Sequence, residues 1–500
     1  MEILSSQSLW QEYDRKAMPL GVSVISSETV DGKIKERLYF SGERTAMGVT
    51  RVFAHLHLPK ESHPPVIIVM DDFTSDIADF DARTLTDRGY AVLVLDYAGE
   101  CEGRERYTIY PKAFDFANYF KHTSEVIKAP AYIKQSCWYV WTTVLMRALT
   151  YVESDERLSD SIALMGIGGG ANQVLKVAAI EDVKCAVTEF SPGVMDDDAE
   201  KDLNFKALLD NSAYAPICKI PVLNIVGSND RDGYFDRLSA ICALTDDKYY
   251  LSVGERLDRA LTLRQSETVR SWLRRYLKTG LPLEISVPEL SARQSEHLLY
   301  YEITAATSRH IAGAELYVSY SDGDGEANRN WQKKIPLLAG TGSYIAKVPV
   351  YDPSKPIYAY ATITYDDNFT FSTPLLVKTP ALLGVTAEKL VKSRLLYDSG
   401  SGPDDFFSPK GESVTMKSGA FDIDGVCSEC GELATYKIGD IKYCAERDSI
   451  LQLILYSPQP QEVEFTVRTV EDDELAEYVG RRKIEGDSSW TKLTLSPDDF

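Results

Sequence analysis

Residues 161–180 read SIALMGIGGGANQVLKVAAI. Ile162–Met165 is a short unbroken apolar run, Gly166-Ile167-Gly168-Gly169-Gly170 is a turn, and Ala171–Ile180 is built of helix formers. A buried strand that passes through a tight turn into a helix is the repeating unit of a parallel sheet covered on both faces. At the centre of the turn stands Gly168, which has no side chain with which to do chemistry.

The same texture extends on both sides. Ile34–Phe40 and Thr50–Leu58 alternate polar and apolar residues, as a starting hairpin does. Val66–Met70, Ala91–Leu95, Ala186–Glu189, Val222–Val226 and Tyr249–Ser252 are further short apolar runs. Ala78–Arg88, Trp138–Val152 and Leu261–Leu277 read as helices between them. Strands alternating with helices predict a doubly wound, mostly parallel α/β sheet. The segments 104–135 and 194–216 are longer than connections need to be, and such loops shape sites or interfaces.

After Lys278-Thr-Gly-Leu-Pro the pattern becomes period two, as in Glu315–Tyr320 and Ile357–Tyr365, with turns such as Ser321-Asp-Gly-Asp-Gly. A second β-rich block includes Ile450–Tyr456 and Glu462–Thr469. The expectation is three domains, 1–280 α/β and then two all-β sandwiches at 281–380 and 381–500, with the first able to fold alone.

At 44% hydrophobic and 26% charged the composition is that of a globular chain. A formal charge of −21 argues against nucleic acid and anionic membranes as partners. The polar, acidic start MEILSSQSLWQEYD is unlike a signal peptide, and no apolar run is long enough to span a bilayer. Eight scattered cysteines, five of them irregularly spaced in the first half, fit free thiols in a reducing compartment. The expected location is cytoplasmic.

Several motifs together resemble the acetylxylan-esterase and dienelactone-hydrolase branch of the α/β-hydrolases. They are Gly42-Glu-Arg-Thr-Ala, Leu95-Asp96-Tyr97-Ala98-Gly99-Glu100, Glu105-Arg106-Tyr107-Thr108 and Cys137-Trp138-Tyr139. The turn at 166–170 and Pro221–Val226 followed by Gly227-Ser228-Asn229-Asp230 complete the set. By the same likeness 283–378 looks like an immunoglobulin-type module and 383–500 like a galactose-binding-type sandwich. The resemblance implies a Ser-His-Asp triad with its serine at the centre of Gly-x-Ser-x-Gly. Carried over, the nucleophile falls on Gly168, the acid on Asp230, and the histidine on Glu255; no histidine lies between His122 and His297. The oxyanion loop reads Met70-Asp71-Asp72-Phe73, and carboxylates beside a developing oxyanion oppose it.

The leading expectation is therefore a catalytically degenerate hydrolase that keeps a pocket for binding or scaffolding, with a small ester or carbohydrate-type ligand. The alternative is an active carboxylesterase or acetylesterase on acylated sugars or small esters, with a relocated nucleophile. Ser191, Cys101 and Cys137 are the candidates, with His122 as a base. A third reading uses Asp71, Asp72, Asp230 and Glu255, all at the carboxyl ends of strands, as an acidic pocket for a cation, a cationic ligand or acid–base work. Arg104, Arg106, Arg231 and Arg256 are close enough in sequence to neutralise it, and Arg104 and Arg106 are counted with Asp71 and Asp72 as binding residues. His55 and His57 share a strand face, which reads as two surface histidines on an edge hairpin. Cys427-x-x-Cys430 with Cys444 has a zinc-ribbon cadence, but the fourth slot, near Arg447 and Asp448, lacks a good ligand. No cofactor and no metal are expected.

Overall fold

The computed structural model describes residues 5–500 except 192–202, 232–234, 246, 282, 296, 321–325, 367–368, 444–448 and 472–473. The turn at Ser321 and Cys444 with Asp448 lie outside the described residues.

Nine strands build the first part: β1 (Ser23–Val30), β2 (Lys33–Thr45), β3 (Gly48–Leu58), β4 (Val66–Met70), β5 (Ala91–Leu95), β6 (Ile162–Ile167), β7 (Cys185–Glu189), β8 (Val222–Gly227) and β9 (Tyr249–Gly254). Their spatial order is β1-β2-β3-β5-β4-β6-β7-β8-β9. The run from β5 through β9 is parallel, while β1, β2 and β3 join antiparallel. The central strands are apolar throughout because helices cover both faces, as the continuous burial of β4 and β5 shows. Cys137–Ser154 and Gly169–Ile180 form helices within two residues of their expected limits. Leu261–Leu277 becomes a helix at Leu263–Arg274, opened by a Thr262/Gln265 capping box, with one wider turn to Thr279. Of Ala78–Arg88 only Arg83–Thr86 is helical, since Asp76 and Asp81 bond backbone N–H groups two residues on and hold turns instead.

Nine more strands follow: β10 (Glu289–Ser295), β11 (Leu298–Thr304), β12 (Ile311–Ser319), β13 (Gln332–Lys334), β14 (Leu337–Gly340), β15 (Ser343–Pro349), β16 (Ile357–Tyr365), β17 (Thr370–Ser372) and β18 (Leu376–Lys378). One sheet, β10-β11-β15-β14, faces another made of β17, β18, β16, β12 and β13. Leu299, Tyr301, Ile303 and Val348 of the first meet Leu316, Val318, Ala361 and Ile363 of the second in one core, which is a β-sandwich.

The second of those sheets does not stop at the α/β part. Ser372 of β17 pairs with Leu251 of β9, so strand order runs unbroken from β1 to β13. Phe371 packs on Tyr250 at 4.9 Å and on Trp272 at 6.2 Å between ring centres. One core cluster holds Trp272, Leu273 and Leu277 together with Leu283, Ile285 and Phe371.

Residues 381–500 depart from the expected second sandwich. Among the described residues they form three separate two-stranded ribbons: β19 (Val414–Ser418) with β20 (Asp424–Ser428), β21 (Leu451–Tyr456) with β24 (Trp490–Leu495), and β22 (Gln461–Glu471) with β23 (Glu474–Ile484). Val385, Ile484 and Leu495 are the buried apolar residues there, too few to weld ribbons into opposed sheets. No helix among the described residues is long and apolar enough to cross a membrane.

Candidate functional site

Strand β6 ends at Ile167 and the helix starts at Gly169, so Gly168 makes the whole turn, at φ 52° and ψ −122°. That conformation suits glycine, and a second constraint reinforces it. A Cβ on Gly168 would lie 1.9 Å from Oδ2 of Asp72. The same carboxylate oxygen accepts the Gly169 N–H at 3.0 Å. In serine hydrolases the N–H after the nucleophile stabilises the oxyanion. Here a fixed side chain, itself an anion, sits on it. Next to it, a Cβ on Gly169 would stand 2.3 Å from the ring of Phe73. Phe73 packs in turn on Tyr97, Phe116 and Trp141 at 4.8–5.1 Å, filling the space above the helix start with rings.

The loops matching acid and base have become contacts with the sandwich. Asp230 is buried after β8, and its neighbour Asn229 donates through Nδ2 to the carbonyls of Ala327 (2.7 Å) and Arg329 (2.9 Å). After β9, Glu255 accepts the Tyr317 hydroxyl at 2.8 Å. Arg256, buried and at φ 57°, donates to the Trp331 carbonyl at 2.7 and 3.0 Å and also to the carbonyl of Asp404. Trp331 Nε1 donates back to the Ser228 carbonyl at 3.3 Å, and Arg329 pairs with Asp236 at 2.5 Å.

The candidate acids are thus divided. Asp71 and Asp72 stand together at the elbow, Asp71 Oδ1 accepting the Asp72 N–H at 2.7 Å. Burial raises the Asp71 carboxyl above its ordinary range. Glu255 is turned to Tyr317, with Arg256 3.5 Å away. Arg256 thus meets a candidate acid, while Arg104 is spent on buried Asp96 (2.8 Å) and the carbonyls of Phe73 and Ser75, and Arg231 on Asp258 (3.1 Å). Arg106 is exposed, beside Tyr39. Arg104 therefore steadies the Asp71-Asp72-Phe73 loop rather than neutralising its acids. Even with that guanidinium and Thr108 opposing it, burial pushes Asp96 up to about 6.

Glu189, which the sequence reading passed over, joins Asp71 and Asp72. It ends β7 and is buried beside the Gly168 turn, whose N–H binds the Glu189 carbonyl at 2.9 Å. Burial, with Asp71 near, pushes its carboxyl up to about 7. The signal was present as a lone carboxylate closing the apolar run CAVTE at a strand's carboxyl end. A raised pKa means that folding favours the protonated form, a stability present below the ordinary carboxylate range and lost as pH rises through 7. Glu189→Gln should leave the melting temperature unchanged near pH 4 and raise it at pH 8, by on the order of 2–3 kcal/mol of stability. An equal shift at both pH values, followed by calorimetry, would refute this.

The relocated nucleophiles lack what they need. Burial raises the Cys137 thiol well above its ordinary value, and Cys101 is raised too, away from thiolate. His122 is not a base for them: it is buried, its Nδ1 accepts the Cys137 N–H at 2.7 Å, and burial lowers its pKa. Ser191 is fully buried. The histidine pair is not on an edge, because β3 lies between β2 and β5; His55 is buried, and burial lowers both His55 and His57 to about 4. Cys430 Sγ lies 3.0 Å from the Ser428 hydroxyl and 3.2 Å from that of Ser408. Among the described residues no group of three or more His, Cys, Asp or Glu is placed to hold a metal.

No family model matches the sequence and no curated protein matches it. Similar solved structures include acetyl xylan esterase 1 from Thermoanaerobacterium sp., 18% identical over 52% of this chain and 88% of that one, with a TM-score of 0.41. An acetyl xylan esterase from Paenibacillus sp. R4 is 16% identical over 55% of this chain and 97% of its own, TM-score 0.42. The esterase domain of a Rhodothermus marinus protein is 17% identical over 49% and 99%, TM-score 0.34. The antiparallel β3, the exchanged order of β5 and β4, the parallel run to β9 and the turn at Gly168 give residues 23–279 an α/β-hydrolase fold.

Proposed function

We propose that this chain is a catalytically retired α/β-hydrolase whose former active-site face works as a scaffold. The observation that carries the reading is Asp72, which occupies the Gly169 N–H and leaves no room for a side chain at Gly168. Nucleophile and base are absent from their positions, and losing such a unit costs on the order of 10⁶ in turnover in a well-studied protease. The loops at Asn229 and Glu255–Arg256 support the scaffold role, since they grip the sandwich. A pocket for a small ester at the elbow is disfavoured by Phe73 and its ring neighbours. A small or carbohydrate-type ligand would bind away from them. The seven described cysteines are free, which supports a reducing, cytoplasmic setting.

The test is direct. The purified chain should hydrolyse short activated esters no faster than a heat-denatured control and should not be labelled by a fluorophosphonate. Turnover above about 1 s⁻¹, an ordinary enzymatic rate, would overturn the reading and revive the esterase alternative.

A further inference from the structure

We propose that Cys427 and Cys430 form a redox pair in which Cys430 is the thiol that attacks a hydroperoxide. Cys427 stands near the end of β20 and Cys430 in the turn that follows it. Their sulfurs bracket Ser428: Cys427 Sγ donates to its carbonyl at 3.6 Å, and Cys430 Sγ lies 3.0 Å from its hydroxyl. Both thiols are half-buried, whereas Cys137, Cys185, Cys218 and Cys242 are buried.

The surroundings of Cys430 select it as the attacking thiol. Its S–H points to the Glu432 carbonyl at 3.8 Å, which leaves the sulfur free to accept. Two buried hydroxyls converge on that sulfur, Ser428 at 3.0 Å and Ser408 at 3.2 Å. Ser408 Oγ already accepts the Lys410 N–H at 3.3 Å, so its own proton turns to the sulfur. The Lys410 ammonium, paired with Glu432 at 3.1 Å, also acts on Cys430. Donors and a cation around a partly exposed sulfur mark a reactive thiol rather than a packing one.

The Cys430 thiolate attacks one oxygen of the hydroperoxide, the O–O bond breaks, and the leaving oxygen takes a proton from solvent. With hydrogen peroxide, the sulfur is oxidised by two electrons to a sulfenic acid and the peroxide is reduced to water. The Cys427 thiolate then attacks the Cys430 sulfur; the S–S bond forms, the S–O bond breaks, and the oxygen leaves as a second water. A disulfide of this kind in a reducing compartment is transient and serves sensing. It takes the sulfur away from Ser408, whose segment holds Arg256 through the Asp404 carbonyl and pairs with Ala434 through Phe407.

Nothing in this chemistry uses the elbow, so it stands or falls apart from the loss of ester hydrolysis. The full reduced chain is treated with a slight excess of hydrogen peroxide, and its cysteine peptides are followed by mass spectrometry. A Cys427–Cys430 disulfide should form ahead of any change at half-buried Cys101 and be reversed by dithiothreitol. In Cys427→Ser, dimedone should trap a sulfenic acid at Cys430 instead. Ser408→Ala should slow the reaction about fivefold, the usual worth of one hydrogen bond. Loss of mere packing there would expose the sulfur and speed it. Lys410→Gln, at an exposed position, should slow it too while keeping the parent melting temperature. A bond from Cys430 to any cysteine other than Cys427, reaction at Cys430 no faster than at Cys101, or full rates in both Ser408→Ala and Lys410→Gln would each overturn the proposal.

Discussion

A chain stopped at residue 280 loses its cooperative melt and aggregates where the full chain unfolds as a unit. The cut exposes Trp272, Tyr250 and the edge of β9, which are covered by Phe371 and β17. It also removes the carbonyl acceptors of Arg256 and opens the side chain they cover to water. Uncovering even two large aromatic side chains and a leucine costs on the order of 5 kcal/mol, comparable with the whole stability of a typical domain. Circular dichroism and size exclusion on 1–280 and 1–380 decide it. A sharp melt of monomeric 1–280 would mean that the shared core contributes little.

The position of that cut shows what the sequence could and could not reveal. The change from alternating helix and strand to period two near Lys278 is visible because each strand writes its own burial pattern. The pairing of Ser372 with Leu251 is not, since it joins residues 121 apart through a three-residue strand with no periodicity to read. The elbow was legible for a similar reason: four glycines in a row of five mark a close approach whatever approaches. That the approaching group is Asp72 could be read only in part, as an acid in the oxyanion loop. The contacts of Glu255 with Tyr317 and of Arg256 with Trp331 and Asp404 depend on packing across the chain and leave no local trace. Of the four acids read as one pocket, Glu255 is bound to Tyr317 and faces Arg256, contacts its sequence position does not show.

The second large effect is expected at the elbow. Gly168→Ser should destabilise the protein by about 2–4 kcal/mol and create no esterase. Part of the cost is the strained backbone, on the order of 1–3 kcal/mol for a residue with a side chain. The rest comes from Asp72, which a Cβ 1.9 Å away must drive off the Gly169 N–H. For a cooperative unit of this size the melting temperature should fall by roughly 2–4 °C. Adding Asp72→Gly should recover most of the clash term and free the N–H, yet hydrolysis should stay at background, because Glu255 is engaged by Tyr317 and no histidine is there. Full stability of the single variant would show that Asp72 yields easily. Activity in the double variant would show that a base exists after all.

The unbroken strand order from β1 to β13 also sets a length. Thirteen strands leave twelve gaps along the path. At about 4.8 Å each they place the two outer strands roughly 58 Å apart along the curved sheet. Every step carries the usual twist of about 20°, so the far edge is turned as well as displaced. Hydrogen-bonded ladders resist stretching in that direction far better than a peptide linker does. The Ser23–Val30 edge and the Gln332–Lys334 end are thereby the two ends of one strand order, joined between its halves by the pair Ser372–Leu251. In mechanical terms the chain is a twisted ruler.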